Sequence, residues 1–316
     1  MVKFGRGDRV PKVSFLQTDT PAVGERLHQL RADLRHLGRV VVACSGGVDS
    51  SLLAVVAHQE LGPGALAVTA LSPAVPAEEV AAVEALAAEW GLRWRPVATA
   101  ELARPDYVAN AGDRCYHCRS ELFDVLGPIA EAEAAVVAVG TIVDDLSDHR
   151  PGQRAAAERG VRTPLADAGF TKTEVRAAAR ALGLAVWDKP AAPCLASRIP
   201  YGTPVTIATL DRVGRAEAAL RALGFSDLRV RHYGDVARVE LPRADLPRAR
   251  ERQEEVVAAV QRTGYRSVTL DPEGLRSGNL NEALPGVRGV PGNPGVRGVP
   301  GNPGVRGVPG NKREQT

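Results

Sequence analysis

Arg39-Val40-Val41-Val42-Ala43-Cys44-Ser45-Gly46-Gly47-Val48-Asp49-Ser50-Ser51 decides the architecture of this chain. Residues 39–44 form a short apolar run of the kind that fills a buried parallel strand, residues 45–50 form a polar glycine turn, and Leu52 to Leu61 reads as a helix. Glycines let a backbone approach an oxyanion closely, Ser45 and Ser50 add hydroxyl donors, and the amides of the first helical turn face the bound anion. A phosphate or pyrophosphate fits such a turn, whereas the spacing is neither that of a Walker A loop nor that of a dinucleotide fingerprint. The same residues also read as an ordinary serine-capped helix after a tight turn.

Outward from this stretch the alternation continues. Pro21 to His36 carries Val23, Leu27, Leu30 and Leu34 at helical steps, and Ala65 to Leu71 and Ala134 to Thr141 are further apolar runs. They alternate with helical segments at Ala77 to Trp90, Glu121 to Ala130 and Thr171 to Leu182, which predicts an α/β parallel sheet over residues 21–190. After Pro190 the chain becomes proline-punctuated. A helix from Ile207 to Leu223, strands Leu228 to Tyr233 and Val236 to Leu241, a helix around Leu246 to Thr263 and a strand Arg266 to Leu270 predict a second, smaller α+β domain over residues 191–284. Residues 1–20 are a polar, unpatterned extension, and residues 285–316 hold three unchanged copies of PGVRGVPGN with glycine at every third position. That G-X-Y register is compatible with a small trimerising triple helix. Nine triplets with no other apolar content favour an extended, solvated tail.

Composition narrows the function classes. With 316 residues, 44% of them hydrophobic and 24% charged, the chain can bury one large or two modest cores. Its longest uncharged stretch, Leu61 to Ala77, is broken by Pro63, Pro73 and Pro76, so no membrane span is expected. The start of the chain has no secretory pattern, which predicts a cytoplasmic protein. Arg288, Arg297, Arg306, Lys312 and Arg313 against Glu314 leave the last 32 residues at +4 and the body before them at −1. A body without a basic footprint argues against a nucleic-acid partner. Four cysteines are too few for a disulfide scaffold, so any functional cysteine is metal-binding, catalytic or sulfur-carrying.

Two further sites carry chemistry. One is Asp113-Arg114-Cys115-Tyr116-His117-Cys118, a C-x-x-C read as part of a loop before a helix. The other is PCLASRIPYGTP from Pro193 to Pro204, near the boundary between the two predicted domains. Cys115, Cys118 and the distant Cys194 suggest a soft metal site. A structural zinc wants four ligands, and three thiolates suit a cubane with one open iron better. Cys115 and Cys118 can also be incidental, with Cys194 alone mattering, while Cys44 inside the apolar run reads as a core residue. Asp49, Asp144 and Asp145 are candidate acidic groups for a magnesium ion, though acidic residues after strands are also ordinary solvated loop residues. Arg229 and Arg231, two apart on a strand, point to one face and with Arg198 are candidates to clamp a phosphate. His149 and His232 are lone histidines with no partner pattern.

SGGVDS at Ser45 to Ser50 resembles the signature of the PP-loop (adenine nucleotide α-hydrolase-like) ATP pyrophosphatases, which cleave ATP between the α and β phosphates and adenylate a substrate. DRCYHC, PCLASRIPYGTP, GTIVDDLSDHRPG (140–152), AGFTKTEVR (168–176) and LDPEGLRSGNLN (270–281) together resemble the LarE-type sulfur transferases, over roughly Arg39 to Asn281. That resemblance implies an ATP-dependent, adenylating, pyrophosphate-releasing enzyme that uses Mg2+. It implies a small-molecule substrate, pyridinium-3,5-biscarboxylic acid mononucleotide, whose carboxylates become thiocarboxylates on the way to the nickel-pincer nucleotide cofactor. It implies that Ser45, Gly46, Gly47, Asp49 and Ser50 hold ATP and that Arg198, Arg229 and Arg231 hold the mononucleotide phosphate. Cys194 and Glu217 become the catalytic residues, Glu217 being by itself an unremarkable glutamate on a helix surface. The full set of Cys115, Cys118 and Cys194 resembles family members with a sulfide-delivering [4Fe-4S] cluster rather than those that sacrifice the sulfur of one cysteine. The resemblance also implies a homo-oligomer, a hexamer. Three readings compete with it. They are a tRNA-thiolating PP-loop enzyme, an ammonia-using amidating synthetase that needs no cysteine, and an oligomerising collagen-like protein whose body merely binds nucleotide.

Overall fold

The computed structural model describes residues 21–146, 151–190 and 193–276. The N-terminal extension, His149, the G-X-Y tail and the end of the LDPEGLRSGNLN motif lie outside the described residues. In chain order the elements are α1 (Pro21–Leu37), β1 (Val40–Ala43), α2 (Val48–Leu61), β2 (Ala65–Leu71), α3 (Ala77–Trp90), β3 (Trp94–Ala98), α4 (Pro105–Ala109), α5 (Arg114–Ala132) and β4 (Val136–Val139). There follow α6 (Val143–Leu146), α7 (Pro151–Glu158), α8 (Pro164–Asp167), α9 (Lys172–Leu182), α10 (Ile207–Ala222), β5 (Arg229–Tyr233), β6 (Val236–Glu240), α11 (Leu246–Glu251), α12 (Gln253–Gln261) and β7 (Ser267–Leu270).

The first sheet is wholly parallel in the order β3-β2-β1-β4. Val40, Val41 and Val42 of its central strand are all buried, which is why that run shows no alternation. One face packs against α1, α2, α3 and α9 through Leu30, Leu34, Leu52, Val56, Val83 and Val175, and the other against α5 and α7 through Phe123, Leu126 and Ala155. The chain goes from β1 to β2 on one side and returns to β4 on the other, so the strand order reverses beside β1. Ligands of open α/β sheets bind outside the carboxyl ends of the strands at such a reversal.

The second sheet, in the order β5-β6-β7, joins antiparallel β5 and β6 to a parallel β7. Its core of Leu220, Phe225, Val230, Val239 and Val260 is separate from the first. Between them lies a smaller cluster of Ala74, Tyr107, Leu195, Ile199, Val205, Leu210 and Val213, drawn from both parts of the chain. An α/β parallel sheet with a smaller second sheet therefore matches the expectation. Several elements differ from it: α4, α6, α7 and α8 have no counterpart in the expectation, α5 starts earlier, at Arg114, and two further differences have a plain cause. β3 had no apolar signature because it is an edge strand with mostly exposed or half-exposed residues, where Pro96 forfeits no central hydrogen bond. The expected long helix after Leu246 divides at Arg252, which caps α11 with a non-helical φ of −102° and ψ of 28°.

Candidate active site

Strand β1 delivers the chain into the glycine turn, and the Cys44 amide still donates to the Val68 carbonyl at 2.8 Å. Gly46 then adopts φ +79°, and a Cβ there would fall 2.8 Å from Val83 Cγ2, so glycine is required twice over. Gly47 caps α2 without any side-chain bond to the first-turn amides, which leaves them directed out of the helix. The Ser45 amide donates to Ser50 Oγ at 3.1 Å and Ser50 Oγ donates to the Gly47 carbonyl at 3.2 Å, closing the turn on itself. Gly140, just past β4, rests on this turn so closely that a Cβ would lie 2.8 Å from the Ser50 nitrogen and 3.0 Å from the Asp49 carbonyl carbon. Cys44 is buried and burial pushes its thiol up, in keeping with a core residue.

Two residues that the motif itself does not contain complete the loop. Lys172 Nζ donates to both carboxylate oxygens of Asp49, at 2.9 and 2.7 Å, while its backbone amide donates to Asp144 Oδ2 at 2.9 Å. Lys189 Nζ donates to the Gly46 carbonyl at 3.1 Å and to Glu79 Oε2 at 2.7 Å. Asp145 accepts from the Ile142 amide at 3.1 Å, so the candidate acidic pair after β4 sits at the loop, with Asp144 joined to Asp49 through Lys172. Lys172 lies within AGFTKTEVR, and the signal for Lys189 is compositional. The chain has only five lysines among 40 basic residues, and both lysines among the described residues lie here. The Thr171 and Glu174 side chains form a capping box that fixes the start of α9 and therefore the height of Lys172.

The C-x-x-C is not in a loop. Cys115 and Cys118 occupy the first turns of α5, three residues apart and hence on one helix face. The stretch was read as a loop because its polar residues carry no apolar period before Phe123. Cys115 is exposed, and Cys118 and Cys194 are half-buried against the small cluster that joins the two sheets. Cys194 reaches them through polar clamps. Arg114, 4% exposed, donates through Nη1 to the Asn110 side chain and to the Ala196 carbonyl. Asn110 Nδ2 donates to the carbonyls of Pro200 and Thr203, each at 2.8 Å. The Leu195 amide donates to the Ala74 carbonyl beyond β2 at 2.8 Å. Burial, then the thiols of Cys194 and Cys115 and the carboxylate of Glu101, push the Cys118 thiol up to about 12. Burial likewise raises the Tyr107 phenol, with Cys194 and Cys118 next in effect. Glu101 is itself buried and accepts from Ser72 Oγ. His117 faces Asp113, at 3.2 Å.

Among the described residues no three His, Cys, Asp or Glu side chains converge closely enough to hold a single metal ion. Cys118 and Cys194 pack against one apolar cluster, and the Arg114 cation acts on Cys194 and Cys115.

The three arginines divide into two kinds. Arg198 Nε and Nη2 pair with the two oxygens of Glu217 at 2.7 and 3.1 Å, and its Nη1 donates to the Pro193 carbonyl at 2.6 Å. Arg231 is 3% exposed, pairs with Glu240 at 2.9 Å and donates to the Ser197 carbonyl at 2.8 Å. Arg229 is half-buried and donates to the Arg276 carbonyl at 2.9 Å. Burial and the neighbouring Arg231 and Arg198 cations lower its pKa, so it stands where added negative charge is favoured. Glu217 is no helix-surface residue. It is wholly buried, and besides Arg198 it accepts from Arg221 Nη2 and the Val230 amide, each at 3.1 Å. Glu240, equally buried and paired across the strands with Arg229, was missed; a charge at an inward position of β6 was its only mark.

All these groups lie beyond the carboxyl ends of the first sheet's strands or in segments clamped to them. No protein-family profile matches the chain. It is 46% identical over 262 residues to an uncharacterized protein of Synechocystis sp., covering 82% of this chain and 98% of that one. It is 39% identical over 257 residues to the pyridinium-3,5-bisthiocarboxylic acid mononucleotide synthase of Lactiplantibacillus plantarum, covering 81% of this chain and 93% of that enzyme. An uncharacterized protein of Methanocaldococcus jannaschii is 26% identical over 240 residues, 76% of this chain and 91% of that one.

Proposed function

The chain belongs to the LarE-type sulfur transferases, and from that premise we propose that it converts carboxylates of pyridinium-3,5-biscarboxylic acid mononucleotide into thiocarboxylates at the expense of ATP, in the cytoplasm. The observation that carries this reading is that the segment bearing Cys194 and Arg198 is tied to the first sheet, the Leu195 amide donating to the Ala74 carbonyl beyond β2, while the turn at Ser45 to Ser50 follows the neighbouring strand β1.

Carboxylate oxygen is a poor leaving group, so activation comes first. The amides at the start of α2 and the hydroxyls of Ser45 and Ser50 receive the ATP phosphates, with Lys172 and Lys189 supplying positive charge. A magnesium ion would neutralise phosphate charge there, and Asp49 and Asp144 would hold it once Lys172, which occupies both Asp49 oxygens, turns to the phosphates. The substrate carboxylate attacks the α-phosphorus, the α–β bridging bond breaks, and pyrophosphate leaves with its electron pair. Arg229 receives the mononucleotide phosphate, and Arg198 and Arg231, locked on Glu217 and Glu240, hold the strand and the Cys194 segment in place. The geometry favours Glu217 as a positioning residue rather than a proton acceptor, since four donors already occupy it. A [4Fe-4S] cluster would be held by Cys115, Cys118 and Cys194 and would supply the sulfide. Sulfur then bonds to the acyl carbon and AMP departs with the carbon–oxygen electron pair.

The test pairs anaerobic iron and acid-labile sulfide analysis with ATP–pyrophosphate exchange. About four irons per chain, lost in Cys115→Ala while exchange still depends on added mononucleotide, is the expected result. Exchange that ignores the mononucleotide overturns the substrate, and an iron-free chain after reconstitution overturns the cluster.

A further inference from the structure

Tyr107 on α4 is 1% exposed, and its hydroxyl has no hydrogen-bond partner among the described residues. Buried phenols normally find one. Tyr265, the other buried tyrosine, does so at His232 Nδ1, 3.1 Å away. An orphaned hydroxyl is costly in an apolar setting, and phenylalanine would fill the same space without that cost. The ring is not at liberty to swing elsewhere. It packs in the cluster with Leu195, Ala196 and Ile199, and α4 is pinned by the Val205 amide on the Val108 carbonyl at 2.9 Å and by the Asn110 clamps. Cys118 and Cys194 pack against that same cluster.

We propose that the Tyr107 hydroxyl is the hydrogen-bond donor to an anionic sulfur atom carried between Cys118 and Cys194. The inference rests on the sulfur-transfer reading and deepens it. A sulfide or persulfide sulfur is anionic, and a fixed O–H donor on an apolar wall stabilises it where water is excluded. Arg114, beside Cys194 and Cys115, adds positive charge, while the Glu101 carboxylate opposes it. The phenol keeps its proton throughout and no bond to it is made or broken. When the sulfur bonds to an acyl carbon its charge is shared with the thiocarboxylate, and the donor falls vacant again. Tyr107 thus retains sulfur between turnovers.

Two sources present the same anionic sulfur to this donor, a sulfide on a cluster iron or a persulfide on Cys194, the latter needing an external thiol reductant to break its S–S bond once the outer sulfur is acylated, and two arms separate them. In one, the full chain is reconstituted anaerobically with iron and sulfide, and labile sulfide in excess of iron is followed during dialysis. In the other, the iron-free chain is loaded with inorganic polysulfide, and cyanide-releasable sulfur is followed over time. In whichever arm the wild type loads, Tyr107→Phe should lose its carried sulfur about tenfold faster with the iron count unchanged, as expected for losing one bond to a charged acceptor. Equal loss rates overturn the proposal. If Tyr107→Phe does not fold, 3-fluorotyrosine at position 107 keeps the ring and strengthens the donor. Retention should then lengthen, and unchanged retention overturns the proposal as well. A wild type that loads sulfur in neither arm refutes the sulfur-transfer reading and this inference with it, which equal rates in a loaded arm do not do.

Discussion

The turn at Ser45 to Ser50 and the arginines at and beside the second sheet, the two places proposed to receive negative charge, are built from different materials. The turn uses main-chain amides, two hydroxyls and a helix end, all within six consecutive residues, and its shape depends on what is missing, the Cβ atoms at Gly46 and Gly140. The arginine site uses guanidinium groups from Arg198, Arg229 and Arg231, and two of the three are held by wholly buried carboxylates from other elements. A main-chain site is sensitive to added atoms. A side-chain site is sensitive to removed charge, because each buried ion left alone must be desolvated without its partner.

Glu217→Gln tests the second statement and should have the largest effect. It leaves Arg198 buried without a counter-charge, which costs about 3–5 kcal/mol, read as a lowered midpoint in chemical unfolding. Nucleotide binding to the folded fraction should persist; if it vanishes with the ion pair, the two sites are not separable. Gly140→Ala tests the first. The new methyl meets backbone atoms of Asp49 and Ser50 that have no flexible end to give way, so a loss of about 1–3 kcal/mol is expected. ATP affinity should fall while the alkylation rate of the cysteines is unchanged, and unaltered ATP affinity would show that β4 does not shape the turn. The smallest effect is expected from His232. Burial, then the Arg212 cation, lowers its folded pKa, so the unfolded chain takes up its proton first as pH falls below about 6.5. Stability present above that pH is lost between the unfolded and folded values, and a thermal-melt series in His232→Asn should show a shallower fall on acidification. An unchanged slope would assign the loss to other groups.

The unequal legibility of the two sites follows from the same difference. SGGVDS could be read as an anion turn because its parts are contiguous and set between an apolar run and a helix. The spacing of Cys115 and Cys118 shows in the sequence, whereas the helix beneath them does not, because its first turns carry no apolar period. Lys172 and Lys189 lie more than a hundred residues from the loop they serve, and no local pattern announces that. Glu217 reads as a surface glutamate because a lone carboxylate on a helix is normally solvated, although Val213 four residues before it and Leu220 three after it mark that face as inward. The pairing with Arg198 and the β5 backbone that makes its burial tolerable is visible only in the folded chain.

The sequence by itself determined the alternation of strand and helix, the parallel sheet and the glycine turn between β1 and α2. Those depend on local periodicity and on backbone freedom, which each stretch of chain carries with it. Tertiary structure alone decided which charged residues are buried and paired, that Asn110 and Arg114 clamp the Cys194 segment, and that Tyr107, in the cluster on which Cys118 and Cys194 pack, has a hydroxyl without a partner among the described residues. Burial and pairing are properties of surfaces that meet across 80 or more residues of chain, as between Arg114 and Ala196, and no window on the sequence contains both sides.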